Sequence, residues 1–261
     1  MRDDGLEPFT VVSGDGVRLR GLRRPGPGPT AVLVHGVAMD TRVWAESGAL
    51  GALAGAEVLA LDLRGRGESD RVGSARRHSV AHCVADVQAV LDAFPRERYS
   101  VLGLYFGGRI ALLTAAADAR VTRAVSFCAH AEEVTLPEEA VEAEAAALEG
   151  PGGRAYLRDH FTKAGAPRWM TDACERADLG ELAAVTRGLR YGSGQGVPPC
   201  RPGQELVLVT AGGDAGLAEF RAGERRLGAH LWLVDGATRI RAAHRLAEVA
   251  GRVAGVLEET G

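Results

Sequence analysis

Four side chains that follow apolar runs have the types needed for acid–base or electrophilic chemistry. They are Tyr105 in VLGLYFGGRIAL, His130 after VTRAVSFC, Asp214 after ELVLVT and Arg239 after AHLWLV. A phenol has an ordinary pKa of about 10, and a guanidinium does not lose its proton in proteins. Tyr105 and Arg239 are therefore expected to act as hydrogen-bond donors, which leaves Asp214 and His130 as the candidate bases.

The elements that must position these residues alternate between short apolar runs and longer helical stretches. The predicted strands are TAVLVH, VLALDL, SVLGL, VTRAVSFC, ELVLVT and AHLWLV, after a hairpin over residues 11–23. Residues 79–94 predict an amphipathic helix with Ser79 as its N-cap, and residues 107–117 and 241–258 predict two more. This alternation is typical of an α/β protein with a mostly parallel, doubly wound sheet.

Three motifs carry a resemblance to the α/β-hydrolase superfamily. They are VLVHG at Val32–Gly36, which resembles its oxyanion loop, LDLRGRGESD at Leu61–Asp70, which resembles its DLRGHGxSD segment, and VLGLYFGGRIAL at Val101–Leu112, which resembles its nucleophile elbow, G-x-Ser-x-G-G. All three stand in the order and at the spacing of the superfamily. The resemblance implies the α/β-hydrolase fold.

The resemblance also implies a degenerate catalytic site. It places Tyr105 at the nucleophile position, Arg239 at the histidine position and Asp214 in the loop of the acid. A phenol cannot replace serine as an acyl acceptor without a large steric change, and arginine cannot serve as a general base. The flanking Gly103 and Gly107 are nevertheless present. The sequence therefore excludes hydrolysis by a Ser–His–Asp triad.

By the same resemblance, a backbone oxyanion hole is expected from the amides of Val37 and Phe106, with His35 orienting that loop. Backbone donors do not depend on the missing side chains. Together with Tyr105 and Arg239, they would make a pocket with several donors and no strong nucleophile. Such a pocket suits the binding, polarisation or enolisation of a carbonyl or quinone substrate.

Alternative interpretations stay open for several of these side chains. Tyr105 either contacts the substrate through its hydroxyl or fills an inactive pocket with its ring. Arg239 either enters the pocket or is a surface or structural residue. Asp214 either pairs with Arg239 or caps the following helix. His244 is expected on the closing helix, and the histidines expected at the surface are His78, His82, His160 and His230.

The resemblance implies a core of residues 1–130 and 199–261 and a helical lid at residues 131–198. The lid region is rich in Ala and Glu and has no strand pattern. An insertion of this length suits an apolar or aromatic small molecule better than a sugar or amino acid. The candidates for an apolar ceiling over the pocket are Phe161, Trp169, Met170 and Tyr191, of which Trp169 and Met170 are the candidate substrate-binding residues.

Composition limits the partners. The chain has 261 residues, a formal net charge of −3 and four scattered cysteines without a C-x-x-C pair. We expect no metal, no cofactor, no nucleic acid and no membrane as partner, because neither the charge nor any motif or long apolar segment favours one. The N-terminal residues have no apolar signal region, so a cytoplasmic location is predicted. The expected partner is an apolar or aromatic small molecule, and a homodimer is also compatible with the sequence.

Three functions fit this inventory. The first is a cofactor-independent, non-hydrolytic enzyme of bacterial natural-product biosynthesis, either a C–C bond-forming or cyclising catalyst or a lyase. This hypothesis is analogy with superfamily members that have altered triads. The second is a ligand-binding protein without catalysis. The third is a hydrolase in which Asp214 or His130 activates water directly.

Overall fold

The strands of the computed structural model, which describes residues 5–191 and 195–258, form one mixed sheet. They are β1 (Glu7–Val12), β2 (Arg18–Arg24), β3 (Thr30–Val34), β4 (Glu57–Asp62), β5 (Tyr99–Leu104), β6 (Val121–Phe127), β7 (Glu205–Ala211) and β8 (His230–Val234). The eight strands run in the order β1-β2-β4-β3-β5-β6-β7-β8. Strands β3 to β8 are parallel, and the antiparallel pair β1–β2 adds to the β4 edge. The predicted doubly wound, mostly parallel sheet is confirmed.

The helices connect these strands. They are α1 (Val43–Glu46), α2 (Ala49–Ala52), α3 (Val80–Ala93), α4 (Phe106–Ala117), α5 (Glu138–Glu149), α6 (Gly153–Lys163), α7 (Arg168–Arg176), α8 (Leu179–Gly188), α9 (Leu217–Leu227), α10 (Arg239–Ala242) and α11 (Leu246–Glu258), with short 3₁₀ turns at Ala75–His78 and Ala243–Arg245. Within the described ranges, no helix is long and apolar enough to cross a membrane. Helices α5 to α8 all lie between β6 and β7, and we refer to them as the lid helices.

Two hydrophobic cores cover the two faces of the sheet. Because successive strand residues point to opposite faces, Leu33 packs into the core with α2 and α11, whereas Val32 packs into the core with α3 and α4. Both side chains are fully buried. The carboxyl ends of the parallel strands therefore sit at the rim of a three-layered scaffold of helices, sheet and helices, which is where such sheets hold their sites.

Several elements begin or end at other residues than the sequence predicts. Ser79 caps α3 as predicted, its side-chain oxygen accepting a hydrogen bond from the backbone N–H of His82. The hairpin begins earlier than expected, at Glu7, and the predicted C-terminal helix is interrupted between Ala242 and Leu246. Helices α1 and α2 were not predicted, and the helix expected after Asp214 was predicted without bounds; it is α9. The N-terminal residues 1–4 lie outside the described part of the chain.

The surface prediction for His78 is wrong. Its side chain is fully buried, and its Nε2 lies 3.0 Å from Oε2 of Glu181 in α8. Burial and the nearby Arg66 and Arg64 lower the pKa of His78 to about 3, so the imidazole is neutral. Glu181 also accepts hydrogen bonds from the backbone amides of Val72 and Gly73. This contact fastens the lid helices to the core.

Candidate active site

A strained turn joins β5 to α4. Tyr105 has φ 53° and ψ −116°, a conformation that non-glycine residues rarely adopt. A Cβ atom on Gly103 would lie 1.9 Å from the Gly107 carbonyl oxygen, and one on Gly107 would lie 2.0 Å from that of Val34. Gly103 is required because the first turn of α4 packs against it, and Gly107 is required because it packs against the end of β3. The turn thus places residue 105 at the tip of the strand.

The hydroxyl of Tyr105 is directed at the backbone of the opposite loop. It donates a hydrogen bond of 2.9 Å to the carbonyl oxygen of Arg239, and the Met170 sulfur lies 4.0 Å away. Burial raises the pKa of Tyr105 well above its ordinary value, so the phenol keeps its proton. Of the two alternatives left open for Tyr105, substrate contact through the hydroxyl or filling of an inactive pocket, the structure decides neither; it shows the hydroxyl bonded within the protein.

Arg239 and Asp214 form an ion pair. The Nε atom of Arg239 lies 3.0 Å from Oδ2 of Asp214, whose side chain is buried. The same carboxylate accepts hydrogen bonds of 2.6 Å from the Thr210 hydroxyl and 2.7 Å from the Gly216 amide, just before α9. Of the two alternatives left open by the sequence, Asp214 therefore takes the pairing with Arg239. It does not cap α9, whose N-cap is Gly216 without a side-chain cap hydrogen bond, although it bonds the amide of that glycine. The guanidinium points to this carboxylate, and its neighbour Ile240 lines the cavity described below.

Cys128 is a member of this cluster that sequence reasoning missed. It has φ 66°, its amide donates to the Val209 carbonyl at 2.8 Å, and its sulfur lies 3.4 Å from the Arg239 carbonyl oxygen. Burial raises the pKa of this thiol well above its ordinary value, so it is neutral. No sequence signal could have found it, because a cysteine in a left-handed conformation has no characteristic pattern.

The expected oxyanion hole has free donors. Within residues 5–191 and 195–258, neither the amide of Val37 nor that of Phe106 donates to another group of the protein. His35 holds the first of these loops: its Nδ1 lies 2.7 Å from the Gly36 carbonyl oxygen, and its Nε2 accepts from the Leu63 amide at 3.1 Å. Burial and a nearby arginine lower the pKa of His35 to about 4. His35 is thus a neutral orienting residue.

A cavity of about 230 Å³ lies over the elbow. Its core side is formed by Val37, Ala38, Met39, Tyr105 and Ile240, and its outer side by lid residues of α5, α6 and α8 that include Glu144, Leu148, Tyr156, Leu157, His160 and Phe161. The sequence analysis missed most of the outer set. The sequence signal that could have found these residues is helical spacing. Residues four apart share one helix face, as do Glu144 and Leu148 of α5 and Leu157 and Phe161 of α6.

The predicted ceiling is only partly in place. Phe161 lines the cavity, whereas Trp169 and Met170 are buried in the hydrophobic core against which Tyr105 packs and do not line the cavity. The prediction for Tyr191 is wrong: its exposed ring stacks against the Arg76 guanidinium, with 5.4 Å between the Arg76 Cζ and the ring centroid. Tyr191 follows α8, whose end lies beside the 3₁₀ turn of the core and away from the cavity.

His130 is not brought to the cavity. Its half-buried ring stands edge-on to Phe220 of α9, with the ring centroids 5.8 Å apart. Burial and the nearby Arg239 and Arg109 lower the pKa of His130, and its Nδ1 makes no hydrogen bond within the described residues. The described residues also contain no cluster of three His, Cys, Asp or Glu side chains that could hold a metal ion.

This geometry agrees with the comparison to known families. A family model described as the alpha/beta hydrolase fold matches residues 29–171. The chain belongs to the α/β hydrolase fold family. Among curated protein sequences, none matches this chain.

The similar solved structures include one at high identity and others that share the fold alone. The structure of the bottromycin epimerase BotH in complex with bottromycin A2 is 67% identical, has a TM-score of 0.95, and the match covers 96% of this chain and 99% of that one. An enol-lactonase from Burkholderia xenovorans LB400 is 20% identical with a TM-score of 0.78, the match covering 96% and 100%. An esterase from Exiguobacterium antarcticum is 14% identical with a TM-score of 0.79, the match covering 96% and 99%.

Proposed function

We propose that this protein is a cofactor-independent epimerase of a bottromycin-type natural product. The observation that carries the proposal is the 67% identity to the bottromycin epimerase over nearly the full length of both chains. The site supports it, because an epimerase breaks and remakes a C–H bond at one carbon and needs no nucleophile. Epimerisation is a form of the first function considered from the sequence, a non-hydrolytic enzyme of natural-product biosynthesis. The proposed reaction is inversion at one carbon instead of cyclisation or C–C bond formation.

The chemistry requires a stabilised carbanion. Removing a proton from a carbon next to a carbonyl group leaves an enolate, and returning the proton to the opposite face inverts the centre. The free amides of Val37 and Phe106 are the groups suited to the enolate oxygen. Donors of this kind act strongly where water is excluded, and removing one typically costs about 10²–10³-fold in rate. The reaction is balanced without any oxidant, reductant or leaving group.

Tyr105 makes the same site unreactive toward ester and amide bonds. Its hydroxyl is hydrogen-bonded to the Arg239 carbonyl oxygen and its phenol stays protonated. An acyl-enzyme cannot form without an activated nucleophile. A carbonyl compound can therefore be held at the oxyanion hole without being cleaved, which is a requirement for inverting a centre beside it.

The cavity fits only the reacting part of a large ligand. Ligand pockets for drug-sized molecules have volumes of roughly 300–1,000 Å³, and this one measures about 230 Å³. The rest of the ligand would extend along the lid helices. Two lid residues at the cavity, Glu144 and His160, have side chains of the types that serve as general bases.

Solvent deuterium exchange tests the proposal. The protein is incubated in D₂O with each epimer of a bottromycin-type compound, and mass spectrometry and NMR follow deuterium uptake and epimer interconversion at one carbon. We expect both, at the same carbon. Binding without exchange would identify a ligand-binding protein instead. Glu144→Gln and His160→Gln then separate proton transfer by the lid from transfer by water or by the ligand.

A matched pair of variants controls for the location of the reaction. Ala38→Leu adds a branched side chain to the core side of the cavity, so it should abolish exchange. Ala218→Leu makes the same change on the exposed face of α9 and should leave the rate unchanged. Equal rates in the two variants would show that the reaction takes place elsewhere.

A further inference from the structure

The positions of the former triad form a closed hydrogen-bonded cluster of their own. Tyr105 and Cys128 both approach the carbonyl oxygen of Arg239, at 2.9 and 3.4 Å. The guanidinium of Arg239 pairs with Asp214, which is bonded in turn to Thr210. The cluster thus joins the ends of β5, β6, β7 and β8. We refer to Tyr105, Cys128, Asp214 and Arg239 as the brace.

The loop that the brace holds has little other support. Residues 235–238 connect β8 to α10, and Asp235, Ala237 and Thr238 are exposed. Among the described residues, few other contacts hold this loop: the Gly213 amide bonds to the Gly236 carbonyl, and Thr238 accepts from the Ala242 amide with its carbonyl and from the Arg241 amide with its hydroxyl. An exposed pair between Asp235 and Arg245 is the remaining one. An exposed loop of this kind opens readily unless side chains fix it. The brace fixes it at Arg239.

The residue after Arg239 is a wall of the cavity. Ile240 faces the cavity together with Tyr105 and Met39. Phe106, next to Tyr105, provides one of the two free amides of the oxyanion hole. The hydrogen bond from Tyr105 to the Arg239 carbonyl therefore links two backbone segments. One segment carries Ile240, which lines the cavity, and the other carries the free amide of Phe106.

We infer that the brace positions Ile240 against the oxyanion hole, so that Tyr105, Cys128, Asp214 and Arg239 are positioning residues that set the width of the substrate cavity. This role deepens the proposed function, on which the ligand-binding arm of the test rests. None of the four side chains donates a proton or a hydrogen bond to the substrate. They act on it through the placement of Ile240 and Phe106.

The first arm of the test uses no ligand. Hydrogen exchange is measured by NMR in the full chain for the amides of Gly213, Arg241 and Ala242, because these three amides donate hydrogen bonds to the loop. Tyr105→Phe, which removes only the hydroxyl, and Arg239→Met, which removes the ion pair, should each speed exchange at least fivefold. Arg245→Met is the control: it removes a neighbouring ion pair with Asp235, in which the two groups are 3.5 Å apart and both exposed, and it should change the exchange rates less than twofold. Unchanged exchange in Tyr105→Phe overturns the inference.

The second arm measures positioning. With bottromycin A2 as the probe, Tyr105→Phe and Arg239→Met should each weaken binding five- to twentyfold, and Arg239→Lys should recover part of the loss because an ammonium group can still pair with Asp214. For epimerisation, KM should rise while kcat stays within twofold. Faster loop exchange with wild-type binding would overturn the positioning role, and a large loss of kcat in Tyr105→Phe would show a catalytic hydroxyl.

The two arms separate this inference from the proposed function. If the wild-type chain does not bind bottromycin A2 at all, the proposed function fails. The exchange arm still decides whether the brace holds residues 236–241, because it depends on no ligand.

Discussion

Asp214→Ala should destabilise the protein strongly, because the carboxylate is a structural anchor. Asp214 is 7% exposed and accepts hydrogen bonds from Thr210 and Gly216 as well as pairing with Arg239. In a functioning triad the corresponding acid orients a histidine, and its loss is felt mainly in the rate. Here the main consequence should be a lower free energy of unfolding.

The magnitude follows from the three partners of Asp214. The Thr210 hydroxyl is fully buried, so leaving it without a partner costs about 1–3 kcal/mol. Losing the hydrogen bond to the Gly216 amide costs about 0.5–1.5 kcal/mol. The side chain of Arg239 is 40% exposed, so solvent screens the ion pair, which adds at most about 1 kcal/mol. The expected loss of unfolding free energy is about 1.5–5.5 kcal/mol.

Urea unfolding followed by tryptophan fluorescence measures this loss. Asp235→Ala is the matched control, since that carboxylate is 92% exposed and has a single 3.5 Å contact with Arg245. The control should lose less than about 0.5 kcal/mol. Asp214→Asn keeps an acceptor for Gly216 and should fall between the two. A loss below about 1 kcal/mol in Asp214→Ala would refute the reasoning, because one unpartnered buried hydroxyl already accounts for that much.

Three more outcomes are expected. The wild-type chain should neither hydrolyse aryl esters nor form an adduct with a fluorophosphonate probe, whereas Tyr105→Ser combined with Arg239→His should gain a mass-detectable adduct, because the acid and the backbone donors are already in place. Gly107→Ala should lose ligand binding and thermal stability, since its Cβ would lie 2.0 Å from a backbone oxygen, whereas Gly152→Ala, with nothing within 4 Å, should keep both. The pKa of His78 is about 3 in the folded protein and 6.5 ordinarily. The unfolded chain therefore binds more protons, and the free energy of unfolding should fall by roughly 2 kcal/mol from pH 6.5 to 5. Urea unfolding of His78→Gln at both pH values should lack this decrease.

The sequence predicted the sheet better than the helices because the strands are the most strongly patterned elements. The central strands are β-branched and leucine-rich runs that are buried along their whole length. Helices α1 and α2 have four residues each, which is too short for a helical period to show. Helix α9 (Leu217–Leu227) buries only Phe220 and Gly223, so its apolar stripe is too sparse to define its bounds.

For the site, the residue types predicted which side chains can donate hydrogen bonds but not which acceptors they bond to. The sequence places Tyr105 and Arg239 on facing loops, and the structure brings them together. It could not predict that the phenol donates to the Arg239 carbonyl, because every residue carries such an oxygen and only the fold selects one. The burial of His78 was missed for a similar reason, since its partner Glu181 is 103 residues away in the lid.

The surroundings of the turn at Tyr105 explain why it has the geometry of a nucleophile elbow although residue 105 is not a nucleophile. Holding a non-glycine residue in the conformation of Tyr105 costs about 1–3 kcal/mol, and such strain persists only where the surroundings determine it. Here the surroundings are the close contact of Gly107 with β3 and the hydrogen bond to Arg239. The turn keeps the Phe106 amide at the start of α4 and free of any acceptor among the described residues. With a serine at position 105, the same amide would stabilise a tetrahedral adduct with the protein. With a protonated phenol there, no such adduct forms, and under the proposed epimerase function the same amide would instead stabilise charge that develops on the ligand.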